Sequence, residues 1–379
     1  MLGFVIVALG ACTSTRADTS ATTVPGLTAG PNSAPTRTPR VAPRAAVPRD
    51  IYAGDRPGMM SPVVRNDPAR IYVPNSLSGT VDVIDPTTAT VIDHFAVGVL
   101  PQHVVPAWDL RTLYVTNDRS NSLTPIDPAT GKPGRPIPVD DPYNMYFTPD
   151  GRYAIVVAER LARLDFRSPR TFALERSLPV DCVGIDHVDF SADGAFLVAS
   201  CEFSGQIVKV DLVRKRVVAT TSLNGGRSKP QDVKLDPTGR VFYVADMTRG
   251  GVYTVDARTF AVTGFIPTGA GAHGLYVSRD SKVLYVTNRD AGSISLVDFA
   301  TRKVVRTWVI PGGGSPDMGG VSADGKVLWV SGRRDGVVYA IDTTTGVLLH
   351  EIRVGSGPHG LAVFPQPGRH SLGHTGVYR

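Results

Sequence analysis

Runs of four to seven residues rich in Val, Ile, Leu and Tyr alternate with turn-forming residues along most of the chain. The clearest unit spans residues 271–310, GAHGLYVSRDSKVLYVTNRDAGSISLVDFATRKVVRTWVI. Its four runs, 275–278, 283–287, 293–297 and 304–310, have the β-branched and aromatic content of strands. Asp280 follows the first run and Asp298 the third, where a carboxylate can accept backbone N–H groups and hold a turn closed. No apolar pattern follows the helical period. A four-stranded antiparallel unit of this length cannot bury both faces alone, so copies must pack face to face. Packed radially they give an all-β fold, a single β-propeller of four-stranded antiparallel blades.

Counting copies sets the size of the ring. Entries to the innermost strand recur near Met60, Gln102, Tyr143, Asp186, Gln231, His273, Asp317 and His359, at spacings of 41 to 45 residues. Second strands recur seven times, from Ile71, Leu113, Tyr153, Phe196, Val241, Leu284 and Val327, and third strands end seven times at Asp85, Asp127, Asp165, Asp211, Asp256, Asp298 and Asp342. Residues 359–364 repeat a first strand, 370–374 weakly repeat a second, and 376–379 begin a third. At the other end RDIYAG, residues 49–54, resembles the fourth-strand ending EIRVG at 351–355. The two ends are therefore expected to share a blade, which closes the ring and removes exposed strand edges. The count favours eight blades; seven holds instead if 370–379 is a tail across the surface.

At the residues IYVPN, LYVTN and LYVTN the chain resembles the YVTN family of β-propeller repeat proteins, over residues 51–379. The resemblance implies the propeller fold and an exported or cell-surface location, and says little about chemistry. The third copy departs from the motif, with Ala158-Glu159-Arg160 where the Thr-Asn corner stands, so a changed loop is expected there.

Composition bears on the ends of the chain. Residues 1–10 are apolar and Leu9-Gly10-Ala11-Cys12 resembles a bacterial lipobox, so 1–12 read as a signal segment with Cys12 as the candidate lipidated residue. No Lys or Arg precedes the apolar run, which is also short for a signal and too short to span a bilayer. Residues 13–48 are rich in Thr, Ser, Ala and Pro and read as a disordered linker, leaving 49–379 for the propeller. Arg16, Arg37, Arg40 and Arg44 against Asp18 give that linker a net +3, half of the formal +6 of the chain. The nearly neutral remainder argues against nucleic acid as the ligand. Membrane contact by a lipid anchor alone, a periplasmic or cell-surface location and a monomeric state complete the expectation.

With Cys12 assigned to the anchor, Cys182 and Cys201 remain. Folding 184–190 back on 196–201 brings them to one end of a hairpin, where an oxidising compartment would join them in a disulfide.

The chain crosses one face of the disc each time it passes from an outermost strand to the next innermost one, so the entry residues gather at one mouth of the central channel, the default ligand site. Two positions per entry hold four His and three Asp: His103, Asp186, His187, Asp232, His273, Asp317 and His359. Because consecutive strand residues point to opposite faces, only a subset of these is expected to converge on the axis. Imidazole with carboxylate suits a divalent transition metal, and Met318 would extend the choice toward copper. A satisfied polar network is the plainer reading of the same residues and is favoured. Asp109, Asp150, Asp193, Asp280 and Asp324 sit in hairpin turns that explain them without function. No C-x-x-C-H, G-x-S-x-G, Walker or dinucleotide motif is present. Three readings remain: a binding or interaction module with a small ligand or a protein at the mouth, a metal-dependent oxidoreductase using the His/Asp ring, and a lactonase-like hydrolase or lyase.

Overall fold

In a computed structural model that describes residues 50–374, the chain forms seven four-stranded antiparallel sheets. Six are built from consecutive strands. The second blade, for instance, runs from inner strand Pro101–Pro106 through Leu113–Asn117 and Ser122–Ile126 to the short outer strand Ile137–Pro138. The first blade is closed by the other end of the chain: Ala362–Phe364 pairs as inner strand with Arg70–Asn75, which continues into Thr80–Asp85 and Thr90–Ala96. Inner strands such as Ile185–Phe190 are buried along their whole length, whereas outer strands such as Arg216–Ser222 alternate exposed and half-buried residues. Among the described residues the apolar core divides into seven clusters, each between adjacent sheets; the one holding Ile71, Val73, Trp329 and Val338 joins the seventh blade to the first.

The ring thus has seven blades, not the favoured eight. Two segments that resembled parts of a repeat do other work. Met60 is no inner-strand entry; it makes an isolated bridge to Pro367. Residues 50–54 of RDIYAG form no fourth strand: Ile51 N–H donates to the Pro237 carbonyl at 2.9 Å, Tyr52 Oη donates to the Leu235 carbonyl at 2.7 Å, and both side chains are buried in the apolar cluster that also holds Val233 and Leu235. A few matching residues cannot make a strand where no free sheet edge is offered, and the blade they would have joined is already completed by Ala362–Phe364. Strand sharing does close the ring, but with different partners. The segments 1–12 and 13–48, Cys12 with them, and residues 375–379 lie outside the described residues.

Cys182 and Cys201 are joined in a disulfide, Cα to Cα 6.0 Å, tying the loop that enters the fourth blade to the end of strand Phe196–Cys201. Their separation of 19 residues predicts that reduction lowers stability by about 3 kcal/mol. A urea midpoint unmoved by dithiothreitol would contradict this.

Candidate functional site

The repeat corner has a structural purpose that explains where the entry residues point. In six blades the register between inner and second strand shifts at the entry, as between Ile185 and Val188, between Pro230 and Val233, and between Pro101 and His103. Such a bulge breaks the alternation of an ideal strand, and the hydroxyl of the second strand serves it. Thr116 Oγ1 accepts from His103 N–H at 3.1 Å, Thr287 Oγ1 from Gly274 N–H at 2.7 Å and Ser200 Oγ from His187 N–H at 3.1 Å. The adjacent Asn117 amide ties the corner to Gly98 N–H, Ser122 and Thr124. All seven candidates, including the consecutive Asp186 and His187, are buried, and six of them, all but Asp232, make contacts with one another or with the groups around the channel.

They fall into two groups and one structural member. Nearer the mouth, Asp317 accepts from His359 Nδ1 at 2.8 Å and from Arg289 Nε at 3.0 Å, with His273 Nδ1 at 3.1 Å. Burial acts to raise the Asp317 pKa, but Arg289, His273 and His359 together outweigh it and hold the carboxyl well below its usual range. Burial, with Arg333 next, pulls His359 down to about 3; burial and then Arg289 hold His273 well below the ordinary imidazole value. Asp317 is therefore an anion neutralised by Arg289, with two neutral imidazoles against it.

Deeper on the axis lie His103 and His187, ring centroids 5.7 Å apart, and between them His374, at 4.3 Å and 5.2 Å. His103 Nδ1 lies 2.9 Å from the Tyr143 carbonyl, and His187 Nδ1 bonds the Asp186 carboxylate. Burial and then neighbouring imidazoles hold His103 and His374 well below the usual value; burial also acts to lower His187, but Asp186, with Asp232 and Glu202 behind it, outweighs it and the net shift is upward. Gly360 is required beside this group, since a Cβ there would overlap the His103 ring. Asp232 does not join it. Its carboxylate accepts from Val233 N–H and, across to the next inner strand, from Leu275 N–H, both at 2.9 Å.

His374 was not among the expected residues. Residues 365–374 neither continue a blade nor lie across the surface. Phe147 N–H donates to the Leu372 carbonyl, Gly373 bridges Tyr146, and His374 enters the channel beyond them. The weak likeness of 370–374 to a second strand did not point to it, because that segment joins no sheet as a strand and has no counterpart in other blades.

Also missed was a ring of charge at the mouth. The first residue after the second strand is, in blade order, Ser76, Asp118, Glu159, Glu202, Met247, Arg289 and Arg333. All but Ser76 line a cavity of about 300 Å³ whose walls also include Gln102, Tyr143, His273 and His359. Three consecutive blades thus contribute acids and two contribute arginines on the far side of the ring. Asp118 is paired with Arg119 and Arg160, each at 3.5 Å. Burial, then Asp186 and Asp118, pushes Glu159 up to about 8; burial and then Asp186 raises Glu202 to about 6. Aligning the residue after each LYVTN-like corner would have exposed this polarity.

The family described as YNCE-like beta-propeller matches residues 60–369. The chain belongs to that family. Among curated protein sequences none matches it. Solved structures with a similar fold include hydrazine synthase of Kuenenia stuttgartiensis (20% identity, 82% of this chain and 99% of that chain, TM-score 0.64). They also include the dihydro-heme d1 dehydrogenase NirN (17%, 81% and 77%, 0.60) and a putative 6-phosphogluconolactonase from Bacteroides uniformis (18%, 78% and 99%, 0.61). At these identities the likeness extends to the fold alone.

Proposed function

We propose that this YNCE-like propeller is an exported binding module whose channel mouth takes a small molecule carrying a cationic group at one end and an anionic group at the other. The observation that carries the reading is the split ring: Glu159 and Glu202 on one side of the cavity, Arg289 and Arg333 on the other. Glu159 and Glu202 have no basic partner among the ion pairs of the described residues, and a ligand ammonium would supply one. Arg333, half-buried and 3.8 Å from Asp317, is placed to meet a carboxylate. The oxidised Cys182–Cys201 pair supports an exported location. A lactonase-like reading is less well supported, because an imidazole drawn down to about 3, as in His359, is too weak a general base near neutrality.

Calorimetry with the ω-amino acids glycine, β-alanine, 4-aminobutyrate and 6-aminohexanoate tests this, with butyrate and butylamine as single-charge controls. At least one amino acid should bind, and both controls at least tenfold more weakly. Glu159→Gln and Arg333→Gln should each cost roughly 10- to 100-fold, the worth of a charge-assisted hydrogen bond. Binding by none of the series, or equal binding of butyrate with no effect of Glu159→Gln, would overturn the zwitterion reading.

A further inference from the structure

We propose that the channel is also a metal site. A transition-metal ion of the zinc or copper class is held by Nε2 of His103, Nε2 of His187 and a ring nitrogen of His374, so that the C-terminal segment supplies the third ligand and is pinned in the channel by the ion. The proposal does not depend on what the mouth binds.

Three observations carry it. First, His103, His187 and His374 each offer a ring nitrogen within 4.8 Å of the others, and all three side chains are buried. Nitrogens bound tetrahedrally at about 2.0 Å stand roughly 3.3 Å apart, so loading requires a contraction of at most about 1.5 Å. Second, the nitrogens are bare. His103 Nε2, His187 Nε2 and both nitrogens of His374 are fully enclosed and have no hydrogen-bond partner. Buried polar atoms are rarely left so, because each costs free energy that a bound species would recover. One such atom from each of three neighbouring rings, all within 4.8 Å of one another, would be satisfied together by one shared electrophile.

Third, the far nitrogens are fixed as metal sites require. The Tyr143 carbonyl can only accept, so His103 Nδ1 carries its proton and Nε2 presents a lone pair. His187 Nδ1 faces the Asp186 carboxylate with the same result. A carbonyl or carboxylate behind each ligating imidazole sets its tautomer and raises its donor strength. Asp186 also keeps Oδ2 unpartnered, a buried negative charge beside the cluster that a cation would balance. Three imidazole nitrogen donors select borderline ions over magnesium or calcium, which prefer oxygen, and a tetrahedral ion keeps one position for water or a small ligand.

The tail makes the proposal specific to this chain. Any propeller can bring inner-strand histidines to its axis, but here the third ligand arrives on the segment that follows the closing strand and pairs with Tyr146 and Phe147. Without an ion, His374 is a buried imidazole with nothing to bond.

The test is titration of chelator-stripped full-length protein with Zn²⁺, Cu²⁺, Ni²⁺ and Co²⁺ by calorimetry, with the visible spectrum of the Co²⁺ form reporting coordination number. We expect saturable binding of one equivalent and the intense bands of tetrahedral cobalt. His103→Gln, His187→Gln and His374→Gln should each weaken binding at least 100-fold, and His350→Gln, on an exposed outer strand, should not. Circular dichroism of each variant separates lost ligation from lost folding, and His374→Gln, at the end of the described chain, is the variant least able to disturb the blades. Loading should also slow proteolysis beyond Phe364 in the wild type and not in His374→Gln. Folded wild type that binds none of the four ions would overturn the proposal and leave buried water as the partner of these nitrogens. Binding that survives His374→Gln, or that is lost only in His273 or His359 variants, would overturn the ligand assignment.

Discussion

Replacing Asp317 by Asn should destabilise the propeller by about 3–5 kcal/mol, the cost of stripping one partner from a buried ion pair. Asp317 is fully buried and the Arg289 side chain is 11% exposed, so the guanidinium left behind has little water to turn to. The same carboxylate accepts from His359 and lies against His273, so its loss also loosens two rings on the floor of the mouth. Adding Arg289→Met to the variant should recover part of the loss, since it removes the stranded charge. The pH dependence has a definite sign. The Asp317 pKa is depressed in the folded state, so its contribution is fully present above the unfolded value near 3.9 and is lost only as pH falls toward the folded value. The difference between wild type and Asp317→Asn in urea should therefore hold steady from pH 8 to pH 5. A loss under 1 kcal/mol, or a difference that disappears across that range, would show that the pair is not what holds the mouth together.

Ending the chain after Gly360 should abolish cooperative folding. The deletion removes Leu361, Ala362, Val363 and Phe364, all buried, and with them the inner strand of the first blade. Truncating one buried Leu or Phe costs about 2–5 kcal/mol, so losing four residues of an inner strand is comparable with the whole stability of a typical domain, about 5–15 kcal/mol. Strand Arg70–Asn75 would then present a bare edge toward the channel, a template for pairing with another copy. Aggregation and loss of a sharp thermal transition are the expected readouts. A chain ended after Pro367 keeps the closing strand and loses only the tail, so it should remain folded with a lower midpoint. Phe364→Ala supplies a graded check at about 3–5 kcal/mol. If the 360-residue chain stays monomeric with an unchanged transition, closure by Ala362–Phe364 is not what completes the ring.

Local chemistry settled the blade unaided. Alternating β-branched runs, Asp-bearing turns and the recurrent corner are short-range features, and they were enough to specify four-stranded antiparallel sheets in a ring and to bring Cys182 opposite Cys201. They could not count the ring. RDIYAG and residues 370–374 look like strand fragments, yet whether such a fragment pairs depends on a free sheet edge at the right place, and only closure decides that. The entry residues were legible as a group because the repeat marks them. Which of them meet was not, because that depends on a bulge whose extra residue is visible only once two strands are paired. The polarity of the mouth was written at one position per repeat, from Asp118 to Arg333, but becomes a field across a cavity only when seven blades place those residues on a circle. His374 lies furthest from sequence reasoning. Its partners His103 and His187 are 271 and 187 residues away in the chain, and nothing local distinguishes a histidine in a tail from one at the axis of a closed ring.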